Sequence, residues 1–238
     1  MQQSPTPRRG APLMEVFDAL LRHFGPQRWW PARTKFEMMV GAILTQNTAW
    51  SNVEKAIARL RAAGALDPKR LHEAPLERVA EWIRPAGYFN VKARRLRAFT
   101  TWLVDRYDGS VRRMLREPPD RLRAELLGVK GIGPETADSI LLYAAGHPIF
   151  VVDAYTRRFL SRHGWLPQKA SYEQTAALFE ANLPKDPALY NEYHALIVAL
   201  GKTFCRARPR CADCPLRRWL PGPSFEETAE RSIHRLAR

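Results

Sequence analysis

The sequence predicts an all-α protein of roughly ten helices, and three observations predict it. Apolar residues recur at the helical period along most of the chain. Glycine and proline punctuate the borders of the periodic segments. Strand-like alternation of apolar and polar residues is nearly absent.

The elements follow in order. "PLMEVFDALLRHFG" (12–25) sets its apolar residues on one helix face and stops at Gly25-Pro26. "KFEMMVGAILTQ" (35–46) and "SNVEKAIARLRAAG" (51–64) make two more helices, the second closing on Gly64. "PLERVAEWIRPAG" (75–87) has Pro75 in its first turn and ends at Pro85–Gly87. "NVKARRLRAFTTWLVDRYDG" (90–109) is long and amphipathic, with an Arg-rich polar side. Segments 119–128, 133–146, 153–164, 171–183 and 188–201 complete the set. "PIFVV" (148–152) reads as an extended lead into a helix that begins at Asp153.

At 238 residues the chain can form one large domain or two lobes and can bury a real core. A hydrophobic content of 45%, with seven Trp and ten Phe, argues for a folded protein. No apolar run is long enough to cross a membrane. The opening "MQQSPTPRRGAP" lacks a signal peptide's apolar core, and residues 1–11 are expected to be a disordered tail. Lys and Arg outnumber Asp and Glu by 38 to 24, a net charge of +14. Such an excess suits a polyanion, nucleic acid first, although a solvated basic surface accounts for it equally well. The three cysteines all lie between 205 and 214, which suits a metal better than a disulfide and a reducing cytoplasm better than an oxidising compartment.

"LLGVKGIGPETA" (126–137) places Gly131 and Gly133 around Ile132, just before a helix opened by Pro134. Glycine at both places permits a tight turn with exposed N–H groups. With the helix N-terminus behind them, those amides make a phosphate site, and Lys130 can reach an adjacent phosphate. A plain helix–glycine–helix corner has the same look.

With its continuation, "LLGVKGIGPETAD…FVVDAYTRR" resembles the helix-hairpin-helix and Gly/Pro…Asp signature of the endonuclease III superfamily of DNA glycosylases. The similarity extends to "KFEMMVGAILTQNTAWSNV", "WIRPAGYFNVKARRL" and "GKTFCRARPRCADCPL", and so covers roughly residues 26–220. Within the superfamily, "WWP", "LTQNT" and "KGIGPETAD" are most similar to the 3-methyladenine DNA glycosylase III branch.

The resemblance implies an enzyme that acts on double-stranded DNA containing damaged bases. Asp153 would be its catalytic carboxylate, stabilising an oxocarbenium-like sugar or activating water. An aspartate opening a helix is also an ordinary N-cap. In bifunctional members a lysine on the hairpin's second helix attacks C1′ and cuts the strand by β-elimination. "GIGPETAD" puts Glu135 where that lysine would stand, and a carboxylate forms no imine, so a monofunctional glycosylase is expected.

A glycosylase must extrude its target, fill the gap and stack the flipped base. By resemblance Gln46 is the inserted residue, with capping of a helix end as its ordinary alternative. Trp29, Trp30 and Trp50 are candidates for a base pocket, since aromatic faces favour a cationic alkylated purine; tryptophans are also ordinary core residues. Lys202 and Arg206 are placed near the pocket or phosphate. Lys92, Arg94, Arg95, Lys130, Arg208 and Arg210 form the expected salt-sensitive footprint.

The family's iron–sulfur loop uses four cysteines. Here Cys205, Cys211 and Cys214 stand alone, and the fourth position is Leu220. Three thiolates hold a [4Fe–4S] cluster if another ligand takes the last iron, with Asp213 or the distant His234 as candidates. Zinc and a loop of free thiols are the alternatives.

The expectation is a two-lobed helix-hairpin-helix fold. A six-helix barrel lobe would span 35–146, and a second lobe would combine 12–34 with 147–238, including a cysteine loop at about 201–220. The cleft between them would hold Asp153. The expected function is removal of alkylated purines such as 3-methyladenine by a cytoplasmic, nucleoid-associated monomer. A glycosylase for oxidised or mismatched pyrimidines with weak lyase activity, and a non-catalytic DNA-structure-binding protein, are the two alternatives.

Overall fold

A computed structural model describes residues 10–221; most of the expected tail, residues 1–9, lies outside them. All regular structure among the described residues is helical, with no strand, and the lead into Asp153 is extended. In chain order the α-helices are α1 (Leu13–Phe24), α2 (Lys35–Thr45), α3 (Trp50–Ala62), α4 (Pro68–Glu73), α5 (Leu76–Trp82) and α6 (Phe89–Tyr107). They continue with α7 (Val111–Met114), α8 (Pro119–Gly128), α9 (Pro134–Ser139), α10 (Ala154–Arg162), α11 (Tyr172–Asn182) and α12 (Pro187–Thr203). The short helices α4 and α7, and a 3₁₀ turn at Arg84–Ala86, were not expected from the sequence. None of the helices is long and apolar enough to cross a membrane.

Two compact units result: Trp29–Val151, and Met1–Arg28 with Val152–Arg238. Trp29 to Thr34 therefore belong with the helices that follow them, not with the N-terminal segment. The reason is local packing. Trp30 lies on Gly41, where an added Cβ would meet its indole at 3.4 Å.

The first unit is built around α2. Thr34 caps it by accepting from the Glu37 N–H at 3.1 Å, and every residue from Phe36 to Leu44 is buried. A helix that is buried all round is the centre of its unit. Helix α6 packs on α2, α4 and α5 through Ala93, Leu96, Phe99 and Leu103. The hairpin joins α8 to α9, which continues through Ile140–Ala145 as a π turn. A bidentate pair holds these two helices together: the half-buried Arg123 donates to the buried Asp138 carboxylate at 2.6 and 3.0 Å.

In the second unit α12 packs on both α1 and α10. Tyr193 is fully buried and donates its hydroxyl to Leu13 O at 2.8 Å. Gly201 lets α10 approach closely, for a Cβ there would sit 2.1 Å from the Tyr155 ring.

Candidate active site and nucleic-acid interface

The hairpin turn needs glycine at one of its two positions. Gly131 has φ +93, and a Cβ there would also lie 2.4 Å from Arg95 Cγ. Gly133 has φ −99 and open space at its Cβ position, so the turn alone does not demand glycine there. Ile132 is buried between the helices, whereas Lys130, Arg94 and Glu135 are exposed.

Gln46, the C-cap of α2, is docked on the hairpin. Its Nε2 donates to Gly131 O at 3.1 Å and to Thr136 Oγ1 at 2.9 Å, and its Oε1 accepts from Arg95 Nη1. The sequence reading named Gln46 and Gly131 but did not bring them together, and it missed Thr136.

Lys92 was expected in the DNA footprint. It is instead only 1% exposed, and its Nζ donates to Leu44 O at 2.9 Å and Ala86 O at 2.8 Å. A side chain so enclosed reaches no phosphate. Burial, aided by the nearby Arg95 charge, lowers its pKa to about 8. It is a strut that ties the end of α2 to the turn before α6. That turn carries Tyr88, which the sequence reading passed over: a 71% exposed aromatic held at φ +45.

The three tryptophans form one cluster. Ring centroids lie 5.1 Å apart for Trp30–Trp50, 5.5 Å for Trp29–Trp30 and 6.3 Å for Trp29–Trp50, and Tyr143 joins at 5.3 Å from Trp30. Trp30, Pro31 and Trp50 line a cavity of about 420 Å³ whose walls also include Glu37 and Arg61. Trp29 is not among its lining residues. Glu37 is buried and paired with Arg61 at 2.8 Å, so aromatic faces more than net charge define the cavity.

Asp153 lies in the second unit, where it opens α10. Its Oδ1 accepts from the Thr156 N–H at 2.7 Å and Thr156 Oγ1 at 2.8 Å. Its Oδ2 faces His194 Nε2 at 3.8 Å, and the carboxylate side chain is 12% exposed. The cap thus uses one oxygen of the group and leaves the other turned to His194. His194 is buried, which lowers its pKa, while Asp153 acts in the opposite direction.

The cysteine loop is held by α10. Arg158 donates to Cys205 O at 2.6 Å, and Arg162 donates to Cys205 Sγ at 3.3 Å, Arg206 O at 2.6 Å and Ala207 O at 3.0 Å. Burial raises the Cys214 thiol to about 11, with Cys211 and Cys205 adding to the effect. No group of three or more Cys, His, Asp or Glu side chains among the described residues is arranged to hold a metal, and Asp213 is exposed. Cys205, Cys211 and Cys214 supply the loop's three thiols, and His234 lies outside the described residues. Lys202, Arg206, Arg208 and Arg210 are all exposed.

The hairpin and the aspartate that opens α10 stand where the resemblance to helix-hairpin-helix base-excision glycosylases expects them. Residues 40–185 match the HhH-GPD superfamily of base excision DNA repair proteins, and the chain belongs to that family. Among curated proteins it is 47% identical over 207 residues to a Methanocaldococcus jannaschii protein provisionally named a DNA repair glycosylase, covering 86% of this chain and 94% of the other. Among solved structures it resembles the Helicobacter pylori 3-methyladenine DNA glycosylase bound to 1,N6-ethenoadenine, with TM-score 0.68 and 31% identity over 80% of this chain and 97% of that one. An endonuclease III–DNA complex shares the fold at TM-score 0.77 and 24% identity, over 92% of this chain and 97% of that one.

Proposed function

We propose that this DNA base-excision glycosylase is monofunctional and removes alkylated purines such as 3-methyladenine. The observation that carries the substrate class is the Trp30–Trp50–Tyr143 cluster beside the cavity of about 420 Å³. Electron-rich faces stabilise a purine made cationic by alkylation. Such a base is already a good leaving group, so the enzyme needs to supply only modest help. The likeness to the Helicobacter pylori enzyme supports the same substrate class.

In this reading Gln46 fills the space left by the extruded nucleotide. Lys130, Arg94 and the amides of the hairpin hold phosphate. Asp153 Oδ2 stabilises positive charge at C1′ or takes a proton from water as the base leaves. Thr156 fixes the carboxylate's orientation through the other oxygen. Glu135 supports the monofunctional assignment, because a carboxylate at that place on the hairpin helix cannot form the imine that strand cleavage requires. For the cysteine loop the proposal is a structural role, with metal analysis of the purified protein as the check on [4Fe–4S] or zinc loading.

The test is a panel of labelled duplexes containing 3-methyladenine, 1-methyladenine, thymine glycol, uracil or a G·T mismatch, read with and without alkali. Breaks only after alkali, on the alkylated purines, are expected. Breaks without alkali on thymine glycol would overturn both the substrate class and the assignment drawn from Glu135.

A further inference from the structure

Gln46 is an amide whose two ends are both occupied, and the chemistry of its partners fixes which way it points. Arg95 offers only donors and the Gly131 carbonyl only accepts, so Oε1 must face the guanidinium and Nε2 the hairpin. Thr136 Oγ1 takes the second Nε2 proton. Arg95 is bound to the hairpin a second way: its aliphatic stem lies where a Cβ on Gly131 would stand, 2.4 Å from Cγ. One arginine on α6 thus spans the end of α2 and the turn between α8 and α9. A half-buried, charge-assisted bond of this kind is worth more than a neutral one and is lost entirely if the arginine is shortened. Lys92, one turn earlier on α6, holds the adjoining Leu44 carbonyl, so the same helix face grips the segment twice.

We propose that Arg95, assisted by Thr136, is a positioning residue that pre-orders the Gln46 side chain against the hairpin, so that DNA gripped by the hairpin meets the inserting group already aimed. The inference rests on the proposed role of Gln46 as the inserted residue. It also reassigns Arg95: its guanidinium serves the protein's own glutamine, not a phosphate. A long, flexible glutamine left unordered would have to find its geometry during base extrusion, and that loss of rotamer freedom would be met at the slowest point.

The two roles for Arg95 give different measurements. Single-turnover base release, 2-aminopurine fluorescence beside the lesion and the salt dependence of DNA affinity are measured for Arg95→Ala, Arg95→Lys, Gln46→Ala and the double variant. Circular dichroism and thermal melting establish that each is folded. Arg95→Ala is expected to slow base release and the 2-aminopurine rise by roughly 10–100-fold, to keep the wild-type salt slope, and to be partly rescued by Arg95→Lys. The double variant should be no worse than Gln46→Ala. A salt slope reduced by about one, with affinity weakened equally on damaged and undamaged DNA, would make Arg95 a phosphate contact and overturn the proposal. A defective Gln46→Ala beside a normal Arg95→Ala sinks the positioning role alone. If Gln46→Ala is itself normal, the inserted-residue role fails and the proposal fails with it.

Discussion

Replacing Lys92 by Met removes the ammonium and keeps most of the stem's volume. In the native protein Nζ serves two carbonyls, Leu44 O at 2.9 Å and Ala86 O at 2.8 Å. Losing the amine leaves two buried carbonyls unserved, at about 1 kcal/mol or more each, so Lys92→Met should cost about 2 kcal/mol near neutral pH. The pH dependence supplies a sharper signature. Burial holds the folded pKa at about 8 against 10.5 for a free lysine. Between those values the unfolded chain binds more protons than the folded one, so this residue makes stability rise with pH across that window. The gain is roughly 2 kcal/mol between about pH 7 and about pH 9.5. A neutral amine still has two N–H donors, so both carbonyls stay served after deprotonation. Lys92→Met lacks the titrating group, and the gap between the two proteins should widen by about 2 kcal/mol at the higher pH. Urea unfolding at both pH values, followed by circular dichroism and tryptophan fluorescence, measures it. Parallel pH profiles for the two proteins, or a variant as stable as the wild type, would refute the reasoning.

Other perturbations probe different parts. Arg123→Ala strands the buried Asp138 carboxylate and should cost about 3 kcal/mol in thermal or chemical unfolding, with weakened DNA binding because the pair joins the two hairpin helices. Gly201→Ala forces a methyl group to within 2.1 Å of Tyr155 and should destabilise the unit carrying Asp153 by about 1–3 kcal/mol, seen as a lower melting temperature. Arg162→Ala removes the donor to Cys205 Sγ and to the carbonyls of Arg206 and Ala207, and limited proteolysis should then cut the cysteine loop faster than in the wild type.

The long helices were legible because each buries a periodic face large enough to see. Helices α4 and α7 were not, since six and four residues are too few to show a period. Their caps were the available signal: Asp67 accepts from Lys69 and Arg70, and Ser110 from Arg113. Lys92 was misplaced on the surface because lysine is rarely buried. Its position was informative all the same, for it falls in the same helical row as Leu96, Phe99 and Leu103, all fully buried. The contacts around Gln46 had no sequence signal. They join residues 49 to 90 positions apart, and nothing in one sequence pairs them. Asp153 stood between a cap and a functional carboxylate, and the structure shows the cap through one oxygen, with the other turned to His194.

The most direct test of the account is Asp153→Asn, compared with the wild type for base release and for binding to the same 3-methyladenine duplex. The side-chain amide keeps an oxygen for the Thr156 cap but loses the charge, so base release should fall by at least about a hundredfold while affinity for the duplex is retained. Undiminished base release by a folded Asp153→Asn protein would contradict the account at its centre.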